Sequence, residues 1–237
     1  MLYALSNDNQ KIKATHKGEA VCPFCKTIVR PKCGDINIHH WAHETLKECD
    51  TWSEGETDWH RGWKSFFPKN EVEVAIKKGE ITHRADYCTT THKFVVEFQY
   101  SSLAVHERFE REVFYRNMVW VVKVNKDADY CYISNKDNKS TIFWSHQIKW
   151  ITKYSEFLVD LLEAGVSLNL MLPSPKPKVF LDFDSFGFWD EGGRFTRRDD
   201  LLFEIGYINQ RTGRNFVYGN FLEKTEFVDT LLKRGMI

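Results

Sequence analysis

The stretch from Arg84 to Gln99, Arg-Ala-Asp-Tyr-Cys-Thr-Thr-Thr-His-Lys-Phe-Val-Val-Glu-Phe-Gln, constrains the fold more than any other. It reads as two short strands joined by a polar turn. In the second, Lys93 to Tyr100, the residues Phe94, Val96, Phe98 and Tyr100 alternate with Val95, Glu97 and Gln99, which is the two-residue period of a strand. The first strand ends near Asp86, so a hairpin brings Asp86 beside Glu97 at one sheet edge. Two carboxylates so close on an otherwise apolar sheet repel each other and lose hydration, and they stay charged only if a cation joins them. Oxygen ligands of this kind suit Mg²⁺ or Mn²⁺ rather than Zn²⁺. The alternative is that Asp86 simply starts a turn.

Upstream, Cys22-Pro-Phe-Cys25 is followed by Ile28-Val-Arg30, Cys33-Gly34 and His39-His-Trp-Ala-His43. A Cys-x-x-Cys turn presents two thiolates to one tetrahedral ion, and a His-x-x-His pair can close the shell. Cys22, Cys25, His40 and His43 are the expected ligands of a structural Zn²⁺, with His39 and Cys33 as adjacent candidates. A redox Cys-x-x-Cys would open a helix, whereas the strand-like Ile28-Val29 follows here. Cys49, Cys88 and Cys131 stand apart in sequence and read as ordinary buried thiols.

Between these features, Thr51 or Ser53 can cap a helix running from Glu54 to Phe67 and stopping at Pro68. On it Trp52, Trp59, Trp63 and Phe66 form one stripe, with Glu56 within about 40° of its centre at about 100° per residue. An inward Glu needs a partner. A metal-bound water is one candidate, and Lys64 or Arg61 the other. His60 follows Glu56 by four residues.

Taken in this order, Cys22-x-x-Cys25, His40-Trp-Ala-His43, Glu56-x-x-x-His60, Arg84-Ala-Asp86, Glu97-Phe-Gln99-x-Ser101 and Arg111-x-x-x-Tyr115 followed by Trp120 resemble the competence protein CoiA-like family. That family is assigned to the PD-(D/E)XK nuclease superfamily, and the resemblance covers about Ala20 to Val124. It implies an αβββαβ nuclease core in which Asp86 and Glu97 hold the catalytic Mg²⁺ or Mn²⁺, with the Phe98 carbonyl as a further ligand. Glu56 would bind a metal-borne water or a second ion, and His60 would touch the phosphate, take a proton or simply pack. Gln99 stands where the superfamily most often has Lys, as it does in the CoiA-like pattern. Gln keeps hydrogen bonding but supplies no positive charge. Arg84, Arg108 and Arg111 are the candidate contacts to a nucleic-acid backbone. Glu107, Glu110 and Glu112 interleave with the last two, so intrahelical ion pairs are the competing reading.

The expected chain is thus α/β (α+β): a zinc-ribbon-like module over 1–50, a PD-(D/E)XK-type αβββαβ core over 51–135, and an α/β extension over 136–237. The extension holds sheet strands at Tyr130–Ile133 and Thr141–Trp144, a helix at Glu156–Glu163 and a proline-rich connector from Leu172 to Lys178. A strand at Val179–Phe183, a basic loop with Arg194, Arg197 and Arg198, and a closing helix from Phe221 to Lys233 complete it. Lys+Arg and Asp+Glu balance at 33 each, which disfavours a DNA-coating protein but not an enzyme, whose groove needs only local positive charge. No apolar run is long enough to span a bilayer and no signal peptide is evident, so a cytoplasmic protein is expected. The expected activity is metal-dependent hydrolysis of phosphodiester bonds in nucleic acid, DNA being the expected partner. The alternative is a nucleic-acid-binding or partner-binding accessory protein with a weak or silent site. A homo-oligomer or protein partner is compatible with either.

Overall fold

The computed structural model describes residues 1–44, 49–52, 55–91, 93–124, 140–144, 176–183, 186–189, 195–211 and 214–235. These form a mixed α+β chain, mostly sheet, in two compact units, Met1–Glu97 and Phe98–Ile237. Among the described residues no helix is long and apolar enough to cross a membrane. The strand expected at Tyr130–Ile133, the helix at Glu156–Glu163 and Leu172–Pro175 of the connector lie outside the described residues.

The first unit opens with five short strands: β1 (Tyr3–Leu5), β2 (Lys11–Lys13), β3 (Ala20–Val21), β4 (Ile28–Lys32) and β5 (His40–His43). They pair in the order β2-β1-β3-β4-β5. Strands this short bury little; one small cluster of Ala4, Ala14, Ala20, Cys22, Val29 and Trp41 forms their core, with Cys25 and Cys49 packed against it. The Trp41 indole donates to the Ile12 carbonyl at 3.0 Å, tying β5 to β2.

Helix α1 (Asp58–Lys64) follows. It is shorter than expected. Its cap is Thr57, whose hydroxyl accepts from the His60 amide while the His60 ring accepts from the Thr57 amide, a reciprocal capping box. Glu56 therefore precedes the helix instead of lying on its wheel. Phe67, just past α1, stacks on Tyr87 at 4.0 Å between ring centres.

Strands β6 (Val72–Lys78), β7 (Ile81–Cys88) and β8 (Val95–Gln99) come next. β7 pairs antiparallel with β6 and with β8, the latter through Tyr87↔Val96 and Cys88↔Val95. One step further along that register, Asp86 lies opposite Glu97, as the hairpin reading expects. Every residue of β8 is buried, so both of its faces are covered. Glu73 interrupts the regular β6 backbone: it takes φ 52°, a left-handed conformation that costs a non-glycine residue on the order of 1 kcal/mol or more.

In the second unit, helix α2 (Val105–Tyr115) leads into β9 (Met118–Val124), close to the helix from Val105 to Arg116 and the strand from Val119 to Val124 that the sequence predicts. β9 pairs in parallel with β11 (Lys178–Phe183), and its continuous apolar run suits a strand covered on both faces. The sheet continues through β14 (Leu201–Arg211) and β15 (Arg214–Glu223) to β10 (Ser140–Trp144). A separate hairpin joins β12 (Phe186–Trp189) to β13 (Phe195–Arg198). Arg197 and Arg198 thus belong to a strand, not a loop, and Arg198 pairs with Asp200 and Glu223. The closing helix α3 (Lys224–Arg234) starts later than expected, because Phe221 is claimed by β15 opposite Phe203.

Candidate functional site

Two groups of chemically active side chains stand out in the first unit. The first is Cys22, Cys25, His43 and Cys49, whose ligand atoms all lie within 4.8 Å of one another. Cys22 Sγ is 3.7 Å from Cys49 Sγ, and Cys25 Sγ is 3.3 Å from His43 Nε2. Two sulfurs each about 2.3 Å from a tetrahedral ion sit about 3.8 Å apart, and a sulfur and an imidazole nitrogen slightly closer. The observed spacings therefore fit a zinc ion, and three soft thiolates with one imidazole are a donor set that selects it.

The local backbone is built for this. The Cys22 amide donates to the Thr27 carbonyl and the Lys26 amide to the Cys22 carbonyl. Lys26 takes φ 62°, closing the turn, and the Phe24 amide points at Cys22 Sγ at 3.4 Å. Burial would raise the Cys25 thiol, but hydrogen bonds from Thr27, His43 and Cys22 outweigh it and bring it down to about 6. Burial, together with Cys22 and Cys25, pushes Cys49 up to about 12. A cation placed among the three sulfurs relieves that conflict.

His40 is not part of this group, which corrects the expected ligand set. It shares β5 with His43 three residues away, and side chains alternate along a strand, so the two histidines face opposite sides. His43 lies on the side of buried Trp41; the His40 ring hydrogen-bonds the Ile38 carbonyl at 2.9 Å. Cys49 takes the fourth position instead. Of the adjacent candidates, His39 meets the edge of His16 and Cys33 packs on the module core.

The second group surrounds Lys64. Its ammonium lies 2.6 Å from Glu56 Oε1, 2.8 Å from Asp86 Oδ1 and 3.4 Å from Glu73 Oε1. Glu97 Oε1 accepts the Asp86 backbone N–H at 3.2 Å. Glu56 and Asp86, two of the three carboxylates expected as one site, share a lysine as their cation, and Glu97 bonds the Asp86 backbone beside them. Glu73 was not expected here. Its oxygens accept the amides of Leu2 and Tyr3 at 2.8 and 3.0 Å, so β1 is fastened to β6 through this carboxylate. The Met1 ammonium reaches Glu56 Oε2 at 2.8 Å.

Burial disfavours charge on both Lys64 and Arg84. For Lys64 the carboxylates of Asp86, Glu56 and Glu73 outweigh it, and for Arg84 those of Glu73, Glu56 and Asp86, so both pKa values rise above their ordinary range. Burial would likewise lift Glu56, yet Lys64 and the Met1 ammonium hold it well below the usual carboxylate range. Arg84 is thereby committed inside the cluster.

The remaining expected residues have other engagements. His60 spends its Nδ1 on the helix cap. Gln99 is buried and its amide donates to the Ser101 carbonyl at 3.0 Å. Arg108 and Arg111 are buried and pair four residues along α2 with Glu112 and Glu107 at 2.8 and 2.5 Å, the ion-pair alternative to a surface that grips phosphates. Glu112 also accepts from the Trp120 indole at 3.0 Å.

The strand carrying Asp86 is clamped by the segment that carries Cys49. Asp50 accepts the Arg84 amide at 2.7 Å, bonds the His83 ring at 2.9 Å and accepts the Trp52 amide at 3.0 Å, while Trp52 stacks flat on His83.

Neither the curated proteins nor the solved structures provide a match to this chain. Residues 4–51 match the family model for the N-terminal domain of competence protein CoiA, a span that contains Cys22, Cys25, His43 and Cys49. Through that N-terminal segment the chain is similar to the CoiA-like competence protein family.

Proposed function

We propose that this chain is a divalent-metal-dependent nuclease of the PD-(D/E)XK type, acting on DNA, with Asp86 and Glu97 as metal ligands and Glu56 in support. One observation carries the reading: Glu56 and Asp86, from the approach to α1 and from β7, share the Lys64 ammonium, and Glu97 on the neighbouring β8 accepts the Asp86 backbone N–H. The succession α1, β6, β7, β8, α2, β9 follows the helix and strand order that the family resemblance implies. The match over residues 4–51 adds support from the CoiA side.

A Mg²⁺ or Mn²⁺ ion at Asp86 and Glu97 would acidify an attacking water and neutralise charge developing on the phosphate. The protein's own part is to position these carboxylates and their support. Lys64 and the Met1 ammonium do so for Glu56, and the backbone N–H of Asp86 fixes the Glu97 carboxylate. Gln99 supplies no charge and acts through its amide alone.

A second reading, an accessory nucleic-acid-binding or partner-binding protein, draws on a specific observation. Among the described residues, the only group of three or more metal-ligating side chains within 4.8 Å is the Cys/His cluster. On that reading Lys64 permanently neutralises the carboxylates. Incubation of zinc-loaded protein with labelled linear, circular, single-stranded and duplex substrates and Mn²⁺ separates the two. Metal-dependent cutting that disappears in both Asp86→Asn and Glu97→Gln supports the nuclease. Undiminished cutting by either variant removes it, and DNA binding without cutting favours the accessory role.

A further inference from the structure

The Lys64 ammonium is a compact point charge on a flexible stem, and it sits on two of the three proposed metal-site carboxylates. Its side chain is 3% exposed, against 13% for Glu56 and 19% for Asp86. Lys64 thus lies deeper than these two carboxylates, which open outward, while Glu73 lies deeper still. We propose that Lys64 is a resident counter-cation that occupies the space between Glu56 and Asp86 and must withdraw before a divalent ion can bind there. The inference rests on the nuclease reading in taking this position as the one that admits the metal.

Charge balance argues for exchange instead of addition. Glu56, Glu73 and Asp86 face the cations Lys64 and Arg84, the Met1 ammonium reaches Glu56, and the Lys11 ammonium lies beside Glu73. Arg61 and Asp58, the other charged groups beside Glu56, pair with each other at 2.6 Å. A divalent ion added to the full set raises the positive charge of a buried site by its whole charge, whereas its arrival with departure of Lys64 raises it by half as much. Distance argues the same way. Oxygen ligands lie about 2.0–2.1 Å from Mg²⁺, but they stand 2.6 and 2.8 Å from the ammonium, so the ion must draw the same oxygens closer over the space the nitrogen fills. Arg84, planar and surrounded by the same acids, is the less mobile cation and stays. The withdrawn ammonium then needs an anionic partner, which a substrate phosphate can supply, so metal and substrate should bind cooperatively.

The test is calorimetry with Mn²⁺ on zinc-loaded protein, so that the thiolates are already occupied. If Lys64 holds the site for about nine-tenths of the time, its removal tightens Mn²⁺ binding about tenfold. Lys64→Gln should show that gain, Lys64→Arg should not, and Lys64→Gln/Asp86→Asn should lose binding. Because Lys64→Gln leaves buried carboxylates uncompensated and can fold poorly, a second measurement uses the wild-type chain. Lys64 should be protected from a lysine-acylating reagent and should become reactive when Mg²⁺ is saturating, read by mass spectrometry. Equal or weaker Mn²⁺ binding in folded Lys64→Gln, or unchanged protection of Lys64 with metal bound, overturns the proposal. Asp86-dependent binding by wild type without any gain in Lys64→Gln overturns the counter-cation role and leaves the nuclease reading standing. Binding by Lys64→Gln alone supports the counter-cation role and removes the native nuclease. Binding by neither removes both.

Discussion

His40 and His43 are separated by an odd number of steps along β5, and an extended chain sends such a pair to opposite faces. The His-x-x-His spacing was legible, but it suits one metal only on a turn or helix; the alternation of His40, buried Trp41, Ala42 and His43 was the signal that points His43 inward and His40 out. Cys49 gave no comparable signal, because only the fold carries it back to Cys22. His40→Ala should therefore retain one tightly bound zinc or cobalt per chain, while Cys49→Ala should lose more than the about 10- to 100-fold in affinity that removing a ligand's hydrogen-bond partner costs; a chelator competition assay reads both. In metal-free protein near neutral pH, Cys25, held near 6, should be alkylated by iodoacetamide well before Cys49, held near 12. Zinc should suppress both reactions, and equal labelling rates would count against the cluster. Glu73 was illegible for a different reason. Alternation with Val72 and Val74 points it outward, and its left-handed backbone turns it in.

At the level of elements, the β7–β8 hairpin, α2 and β9 lie near their expected bounds because strand alternation and helical amphipathicity were unbroken there. Helix α1 does not. Its capping box uses His60 where Glu or Gln is usual, so the cap at Thr57 left no sequence signature and the acidic run before it read as a first turn. Thr57→Ala should cost about 1 kcal/mol and loosen the presentation of both Glu56 and Lys64; thermal melts check the first effect. The β14–β15 hairpin, whose two long strands pair out to Arg211 and Arg214, reaches well beyond the segment from Asp200 to Asn209 that the sequence marks. Its tightest point is Gly219, where an added Cβ would fall on the Glu204 carbonyl oxygen and the Phe203 ring. Gly219→Ala should destabilise by about 2 kcal/mol or more, measured by denaturant unfolding, and a neutral result would mean that the strands are not so closely apposed.

For the molecule as a whole, the Lys64 network sets a pH window. The folded pKa of Glu56 lies well below its ordinary 4.5, so its stabilisation is complete above that value and is lost as pH falls through the depressed one. The folded pKa of Lys64 lies above its ordinary 10.5, so its contribution is complete below 10.5 and fades at higher pH. Glu56→Gln should lower the melting temperature at neutral pH, and the gap to wild type should close as both are acidified; a constant gap would place the stabilisation elsewhere.

Cys49 and Asp50 are joined by one peptide bond, and Asp50 grips the strand that bears Asp86. Stripping the thiolate centre with a chelator should therefore slacken β7 and the Asp86 it carries. On the proposed nuclease reading, magnesium alone should support no cutting after treatment with EDTA, and zinc given before magnesium should restore it.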